Sequence, residues 1–181
     1  RRQRQMCIRD SPNSPSNNAP IFRVFNPTQS TKRTFPRISY LLNNYQPDYS
    51  GGESMPTYPR TLHFRFTVRD NRAGGGGITY DQTEVEVTDQ AGPFEIISPN
   101  GNETLGINET YTVEWEVAST DENIINCQEV NIVLMHNTNG TWEETTLAEN
   151  EQNDGQAQIT IPNSEELIGS QNRIKIIPTN N

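Results

Sequence analysis

RTLHFRFTVRDNRAGGGGITYDQTEVEVTDQAGPF, running from Arg60 to Phe94, decides how this chain folds. It opens on strict alternation. Leu62, Phe64, Phe66 and Val68 point one way, and His63, Arg65, Thr67 and Arg69 point the other. A period of two over this length predicts a half-buried strand. Asp70-Asn71 and the run Gly74 to Gly77 then break it. A second alternating run sets Thr83, Val85 and Val87 against Glu84, Glu86 and Thr88. The pair reads as a long antiparallel hairpin with arginines outward on one strand and glutamates outward on the other. Opposite charges across such a pair contribute roughly 0.2–1 kcal/mol each, so they help fix register rather than hold the fold. Ala91-Gly92-Pro93 then closes one module and opens the next.

Downstream, Phe94 to Ile97 reads as a strand and Pro99-Asn100-Gly101 as a turn. Tyr111, Val113, Trp115 and Val117 alternate inward against Thr112, Glu114, Glu116 and Ala118. Val130, Ile132 and Leu134 form the next buried strand, Trp142 to Leu147 returns, and Asn153-Asp154-Gly155 turns again. Ala157, Ile159 and Ile161 alternate until Pro162 stops them. Glu165 to Ile168 suits a helical turn, and Ile174 and Ile176 make a last strand. About seven strands with turn signals every 8–15 residues or so are the pattern of an immunoglobulin-like sandwich.

Upstream the text is less regular. Ile21 to Phe25 alternates and reads as a strand ended by Pro27. Gln29 to Thr34 is a polar loop, and Phe35-Pro36-Arg37 a turn. Ile38 to Leu42 fits one helical turn or a short strand, with the helix favoured. Asn43 to Pro59 is a long loop whose Tyr45, Tyr49 and Tyr58 are placed to cover a sheet edge. Residues 11–19, SPNSPSNNA, have the composition of a disordered segment. Residues 1–10, RRQRQMCIRD, match nothing around them. They resemble a translated sequencing adapter, of the kind found at the ends of reading frames from metagenome assemblies; the functional alternative is a basic arm.

The totals set bounds. Of 181 residues 31% are hydrophobic, which suits short strands and long loops rather than a large helical core. No stretch approaches the roughly 18 apolar residues of a membrane span. Charge is split: residues 1–89 hold 12 basic and 8 acidic side chains, and residues 90–181 hold 2 and 15. So acidic a second half argues against nucleic acid as a partner. A solvated surface is the favoured reading of that charge; calcium or a basic partner are the others. The cysteines are Cys7 and Cys127, too few for a metal site; Cys127 reads as a small packed hydrophobe, with a Cys7–Cys127 disulfide the disfavoured alternative.

FRFTVRDNRAGGGG, the alternating strand after it, AGPF and Ser98-Pro99-Asn100-Gly101 together resemble the region after the catalytic domain in bacterial secreted, reprolysin-like zinc metallopeptidases. Phe22-Arg23-Val24-Phe25-Asn26-Pro27-Thr28 and Phe35-Pro36-Arg37 upstream fit the same order. Val113-Glu114-Trp115, Asn126-Cys127, Val130 to Leu134 and Asn153-Asp154-Gly155 fit downstream. The resemblance covers about residues 19–178. The second module also resembles the Kre9/Knh1-like Ig domains, through SPNG, a Val-x-Trp strand, NDG and a final IKI. The expected fold is all-β: two tandem immunoglobulin/PKD-like antiparallel sandwiches. Residues 20–90 would form a PKD- or cadherin-like module truncated at its N-terminus, and residues 91–181 an Ig-like module, after a disordered or artefactual 1–19. In the family more sequence follows, so a C-terminal truncation is expected too.

The resemblance implies a parent that hydrolyses peptide bonds with zinc and is exported to the cell surface or medium. The catalytic motif is not in this stretch. Two histidines on one helical face flanking a glutamate would be needed, and only His63 and His136 occur, both read as surface residues on strands. Gly74 to Gly77 lacks the Lys-Ser/Thr of a phosphate loop and reads as a hairpin tip. Calcium has weak candidates in Asp70, Asn71, Asp81 and Asp89, because cadherin-like modules bind it at sandwich ends through oxygen ligands. Asn102, Asn108 and Asn139 begin glycosylation sequons by pattern, in stretches where Asn and Thr are common turn residues. The expected role is a non-catalytic accessory fragment with no cofactor of its own, partnered by the catalytic domain of the same parent. The alternative is a surface adhesion or carbohydrate-binding module meeting an extracellular protein or glycan, with Trp142, Tyr45, Tyr49 and Tyr58 as stacking rings.

The core should comprise Phe64, Phe66, Val68, Trp115, Val130, Ile132, Leu134 and Ile159. Trp115 is its centre: one tryptophan buries about 200 Å², roughly 5 kcal/mol of gross transfer at ~25 cal/mol per Å². Trp115→Ala should therefore be among the most damaging single changes in the chain, read as a large fall in the denaturant midpoint.

Overall fold

The computed structural model describes residues 21, 22, 24, 26, 32–38, 41, 53–138 and 141–179. The chain forms two compact units, Arg1–Asp89 and Gln90–Asn181. Among the described residues all regular sheet is antiparallel.

In the first unit, β1 (Arg60–Arg69) pairs with β2 (Ile78–Val87) in unbroken register from Arg60↔Val87 to Arg69↔Ile78. Leu62, Phe64, Phe66 and Val68 share one face with Val85, Thr83, Asp81 and Thr79. At the base of that face Phe64 meets Phe35 at 4.8 Å and Phe22 at 5.9 Å between ring centroids, and Phe22 meets Phe35 at 5.1 Å. The Arg33 guanidinium lies 4.2 Å above Phe35. The buried Glu53 carboxylate accepts from Arg33 Nη2 and, at 2.9 Å, from the Arg37 amide. Desolvating a carboxylate is costly, and an arginine partner plus a backbone donor offset that cost.

Three expectations are corrected here. Phe66 and Val68 are 56% and 48% exposed, because Phe22 and Phe35 cover only the base of the apolar face. The register sets Arg65 against Gln82 and Arg69 against Ile78, so the arginines do not face the glutamates. Only His63 meets Glu84, at 3.0 Å with both side chains 70% exposed, a contact of small worth. The described residues of Ile21–Phe25 lie outside any strand; Phe22 packs by its ring, Val24 is exposed, and the Ile21 carbonyl accepts one bond from Ser54. Of the segment Ile38–Leu42, Ile38 and Leu41 lie in a helical turn closed by the Leu41 amide on the Arg37 carbonyl at 3.4 Å. Residues 1–20, including Cys7, and Tyr45 and Tyr49 lie outside the described residues.

The second unit is an Ig-like sandwich of two three-stranded sheets. One has the order β3 (Glu95–Ser98), β4 (Thr110–Glu116), β7 (Gln156–Thr160). The other has the order β6 (Thr141–Gln152), β5 (Glu129–Thr138), β8 (Arg173–Pro178). Between them lie Val113, Trp115, Val130, Ile132, Leu134, Ala157 and Ile159, with Leu167 from the 3-10 turn Glu165–Leu167. This is the period-two face the sequence predicts. β5 is central in its sheet and buried on both sides: Val133 and Met135 point away from the core yet are only 4% and 6% exposed. On that outer side Glu144 faces Met135 from β6 and Lys175 faces Val133 from β8. Their ion pair, 2.9 Å, spans β5 and shields it. β6 runs beyond Leu147, the end expected from alternation, because a bulge resets its phase. Asn150 takes a positive φ of 55° there, and its amide donates to Asn131 Oδ1 at 2.8 Å.

A polar knot sits inside the apolar core. Trp115 Nε1 donates to Asn153 Oδ1 at 2.8 Å. Asn153 Nδ2 donates to the Cys127 carbonyl at 2.9 Å and to Thr120 Oγ1 at 3.0 Å. The Asn153 amide donates to the Gln128 carbonyl at 2.9 Å. Two residues on, Gly155 has φ +99° and accepts from the Trp115 amide at 2.9 Å; a Cβ there would sit 3.3 Å from the Trp115 carbonyl.

Asn153→Ala should therefore lower stability by about 3 kcal/mol, since it strands an indole N–H and a carbonyl in a dry core. A urea titration should show the midpoint fall at unchanged slope. Trp115→Phe combined with Asn153→Ala should cost less than the two single changes added together.

Candidate functional site

The tip of the β1–β2 ribbon is built by one carboxylate. Asp70 Oδ2 accepts from the Gly77 amide at 2.9 Å and Oδ1 from the Arg72 amide at 3.1 Å. Asn71 takes φ 50°, and Gly74 and Gly75 take +85° and +136°. The glycines are needed for space as well: a Cβ on Gly76 would lie 2.7 Å from Asp70 Oδ1. The Gly77 and then the Arg72 amide hold the Asp70 carboxyl below the usual carboxylate range. Glu103 does the same for the SPNG turn, accepting from Asn100 and Gly101 at 3.0 and 2.6 Å.

The four calcium candidates are not brought together. Asp70 and Asn71 are at the tip. Asp81 lies opposite Phe66, four residues along β2 from Gly77, or about 13 Å at ~3.3 Å per residue. Its Oδ1 accepts from the Gln82 amide. Asp89 lies beyond the far end of β2. Calcium takes about six to eight oxygens at roughly 2.3–2.6 Å, and strand spacing keeps these apart. Among the described residues no three of His, Cys, Asp and Glu are grouped to hold a metal.

The two histidines differ. His63 is exposed on the ribbon, as expected. His136 is a correction: it is 3% exposed, with Nδ1 3.4 Å from Thr138 Oγ1 and Nε2 3.3 Å from Thr145 Oγ1. The reason is phase. Extending Val130, Ile132, Leu134 by two residues lands His136 on the inner face, a signal the sequence does contain. Cys127 is buried and its Sγ donates to the Glu129 carbonyl at 3.5 Å; burial pushes its thiol up and leaves it inert.

Of the candidate stacking rings, Trp142 and Tyr58 are half-buried. Tyr58 accepts from Arg60 Nη1 at 3.2 Å and carries that guanidinium 5.5 Å from its ring. A ring that sequence reading passed over is Tyr80, 59% exposed on β2 with Arg65 stacked at 4.4 Å. When the Gln82 amide turns its oxygen to Arg65, it accepts from Nε and Nη2 at 3.0 and 2.7 Å. A hollow of about 360 Å³ lies at these rungs, lined by His63, Phe64, Arg65, Gln82, Thr83 and Glu84. The sequon residues Asn102 and Asn108 are exposed in turns with φ 66° and 60°, and Asn139 lies outside the described residues.

The ribbon tip should be acid-sensitive. Asp70 has a depressed carboxyl, so its contribution is present above the unfolded value of about 3.9 and is lost as pH falls through the lower folded value. The Gly77 amide resonance should titrate with a midpoint below that of a free aspartate, and Asp70→Asn should abolish the step. A midpoint at or above the free value would contradict the assignment.

No helix among the described residues is long and apolar enough to cross a membrane. Neither a curated protein nor a solved structure matches the chain. Residues 98–177, from the end of β3 into β8 and including both Trp115 and Asn153, match the family model of the Kre9/KNH-like N-terminal Ig-like domain.

Proposed function

We propose that this chain is a non-catalytic accessory piece of a secreted zinc metallopeptidase, with peptide-bond chemistry residing in a catalytic domain of the same parent. The motif order from Phe22 through FRFTVRDNRAGGGG to Asn153-Asp154-Gly155 supports the parentage. The observation that carries the accessory role is the Ig-like match over residues 98–177, joined to where that unit puts its polar chemistry. Trp115, Asn153, His136 and Cys127 are turned inward and bonded to the fold itself. Such a sandwich is a scaffold and not in itself a catalyst. Its work is to space, dock or help fold a neighbour outside the cell.

A second reading, a surface adhesion or carbohydrate-binding module, draws on the same Ig-like match and on the exposed Phe66, Val68 and Tyr80 of the ribbon. A glycan array separates the two, because a reproducible glycan signal favours the second.

The purified 181-residue chain should leave a casein substrate intact with or without added zinc, and should retain less than one zinc per chain after dialysis. Hydrolysis that co-purifies with the chain overturns the proposal. The longer reading frame should carry an H-E-x-x-H motif upstream; further Ig-like repeats there instead would remove the metallopeptidase parentage.

A further inference from the structure

We infer that the edge of β1 facing away from β2, unpaired among the described residues, is a docking site for an extended peptide of another protein in which acidic and apolar residues alternate, received as an added antiparallel strand. This does not depend on the metallopeptidase parentage.

The hydrogen-bond phase of the ribbon defines the edge. The Asp70 amide donates to the Gly77 carbonyl at 3.3 Å, one rung beyond Arg69↔Ile78. Bonded and non-bonded pairs alternate along an antiparallel ladder, so the even-numbered residues of β1 turn their backbone groups to β2. Arg65, Thr67 and Arg69 turn theirs to the open side. All residues from Arg65 to Arg69 are exposed.

Charged side chains are the one usual edge guard that β1 carries; the others are absent from it. Natural edges are shortened, bulged or broken by proline. In the second unit β3 is four residues long, has a register shift, and lies between Pro93 and Pro99. β1 is ten residues long, without a proline and without a bulge. It keeps an apolar row, Phe66 and Val68, more than 45% exposed on one side. On the other side it carries Arg65 and Arg69 and no carboxylate.

These features specify the occupant. Residues opposite Arg65 and Arg69 in an added strand share their face and should be acidic, the Arg65 guanidinium leaving Tyr80 and Gln82 of β2 to meet its acid. Residues opposite Phe66 and Val68 share the apolar face and should be aliphatic. The fitted pattern is acidic-apolar-x-apolar-acidic, with acids four apart. Backbone bonds supply the affinity and the alternate side chains the selectivity. A second copy of this chain fits less well. Its β1 has no carboxylate to set opposite either arginine. Its β2 offers Asp81, Glu84 and Glu86, no two of them four residues apart, so no register places a carboxylate opposite both arginines.

The test uses the full chain and a fluorescein-labelled peptide QEVTVEQ, followed by anisotropy. Saturable binding is expected. It should weaken by about tenfold or more for QKVTVKQ and for the Arg65→Glu/Arg69→Glu double variant. It should vanish when the peptide amides facing the edge are N-methylated. Tryptophan fluorescence, from Trp115 and Trp142 in the second unit, monitors that unit's fold, and hydrogen exchange of the β1–β2 amides verifies that the ribbon persists in the variant. Equal binding of acidic and basic peptides, binding that survives N-methylation, or no binding by an intact ribbon overturns the inference. A mass that rises with concentration in light scattering, without peptide binding, assigns the edge to a second copy and overturns it as well.

Discussion

The hydrogen bond from Trp115 Nε1 to Asn153 Oδ1 is the constraint on which the sandwich depends. An indole delivers the largest apolar surface in that core, but it brings one donor that must be satisfied once water is gone. Asn153 satisfies it and in turn must place two amide protons. These go to the Cys127 carbonyl and to Thr120 Oγ1, which itself donates to the Val117 carbonyl at 2.7 Å. One side chain thereby ties together the strand β4, the loop after it and the entry to β5. Gly155 follows from the same requirement, because the turn that aims Asn153 inward must then pass close against the Trp115 backbone.

The first unit is held in a different way. Its described contacts are a cluster of three tilted rings, a buried carboxylate with an arginine and a backbone amide on it, and a loop wound around Asp70. Each fixes a local segment. None closes the upper half of the apolar face that Phe66 and Val68 present. A sandwich gains stability from two inner faces meeting, and an isolated two-stranded ribbon is marginal in water. The ribbon therefore owes its order to its base, and its tip half is held mainly by its own ladder and by the Asp70 turn.

Alternation made much of this legible in advance. Val113 and Trp115, then Val130, Ile132 and Leu134, then Ala157 and Ile159 are each a period-two face, and each lies in the core. The failures have particular causes. Phe66 and Val68 alternate as well as any core strand, but periodicity says which residues share a face and not whether anything covers it. The β6 strand outran its pattern because the bulge at Asn150 shifted the phase, and a bulge leaves only a weak trace in sequence. Asn153-Asp154-Gly155 reads as a turn, which is right for the backbone and silent about the Asn153 side chain. Glu53 shows the same blindness, since its partners Arg33 and Arg37 come from a loop 16 to 20 residues earlier. Non-local polar pairing is what a linear pattern cannot display. The scattered calcium candidates make the converse point: acidic residues gathered in sequence around a glycine loop were spread along a ribbon by the strand rise.

These contrasts bear on where interaction is to be sought. In the sandwich, the buried polar groups are committed to one another, and the outer side of its central strand is covered by the Lys175–Glu144 pair. Of its four edge strands β3 is short and flanked by prolines, and β6 is bulged. The ribbon has none of these closures and separates its charges by strand, with Arg65 and Arg69 on β1 and Asp81, Glu84 and Glu86 on β2. Charges separated in this way give each edge a sign, and a signed edge selects among strands instead of accepting any.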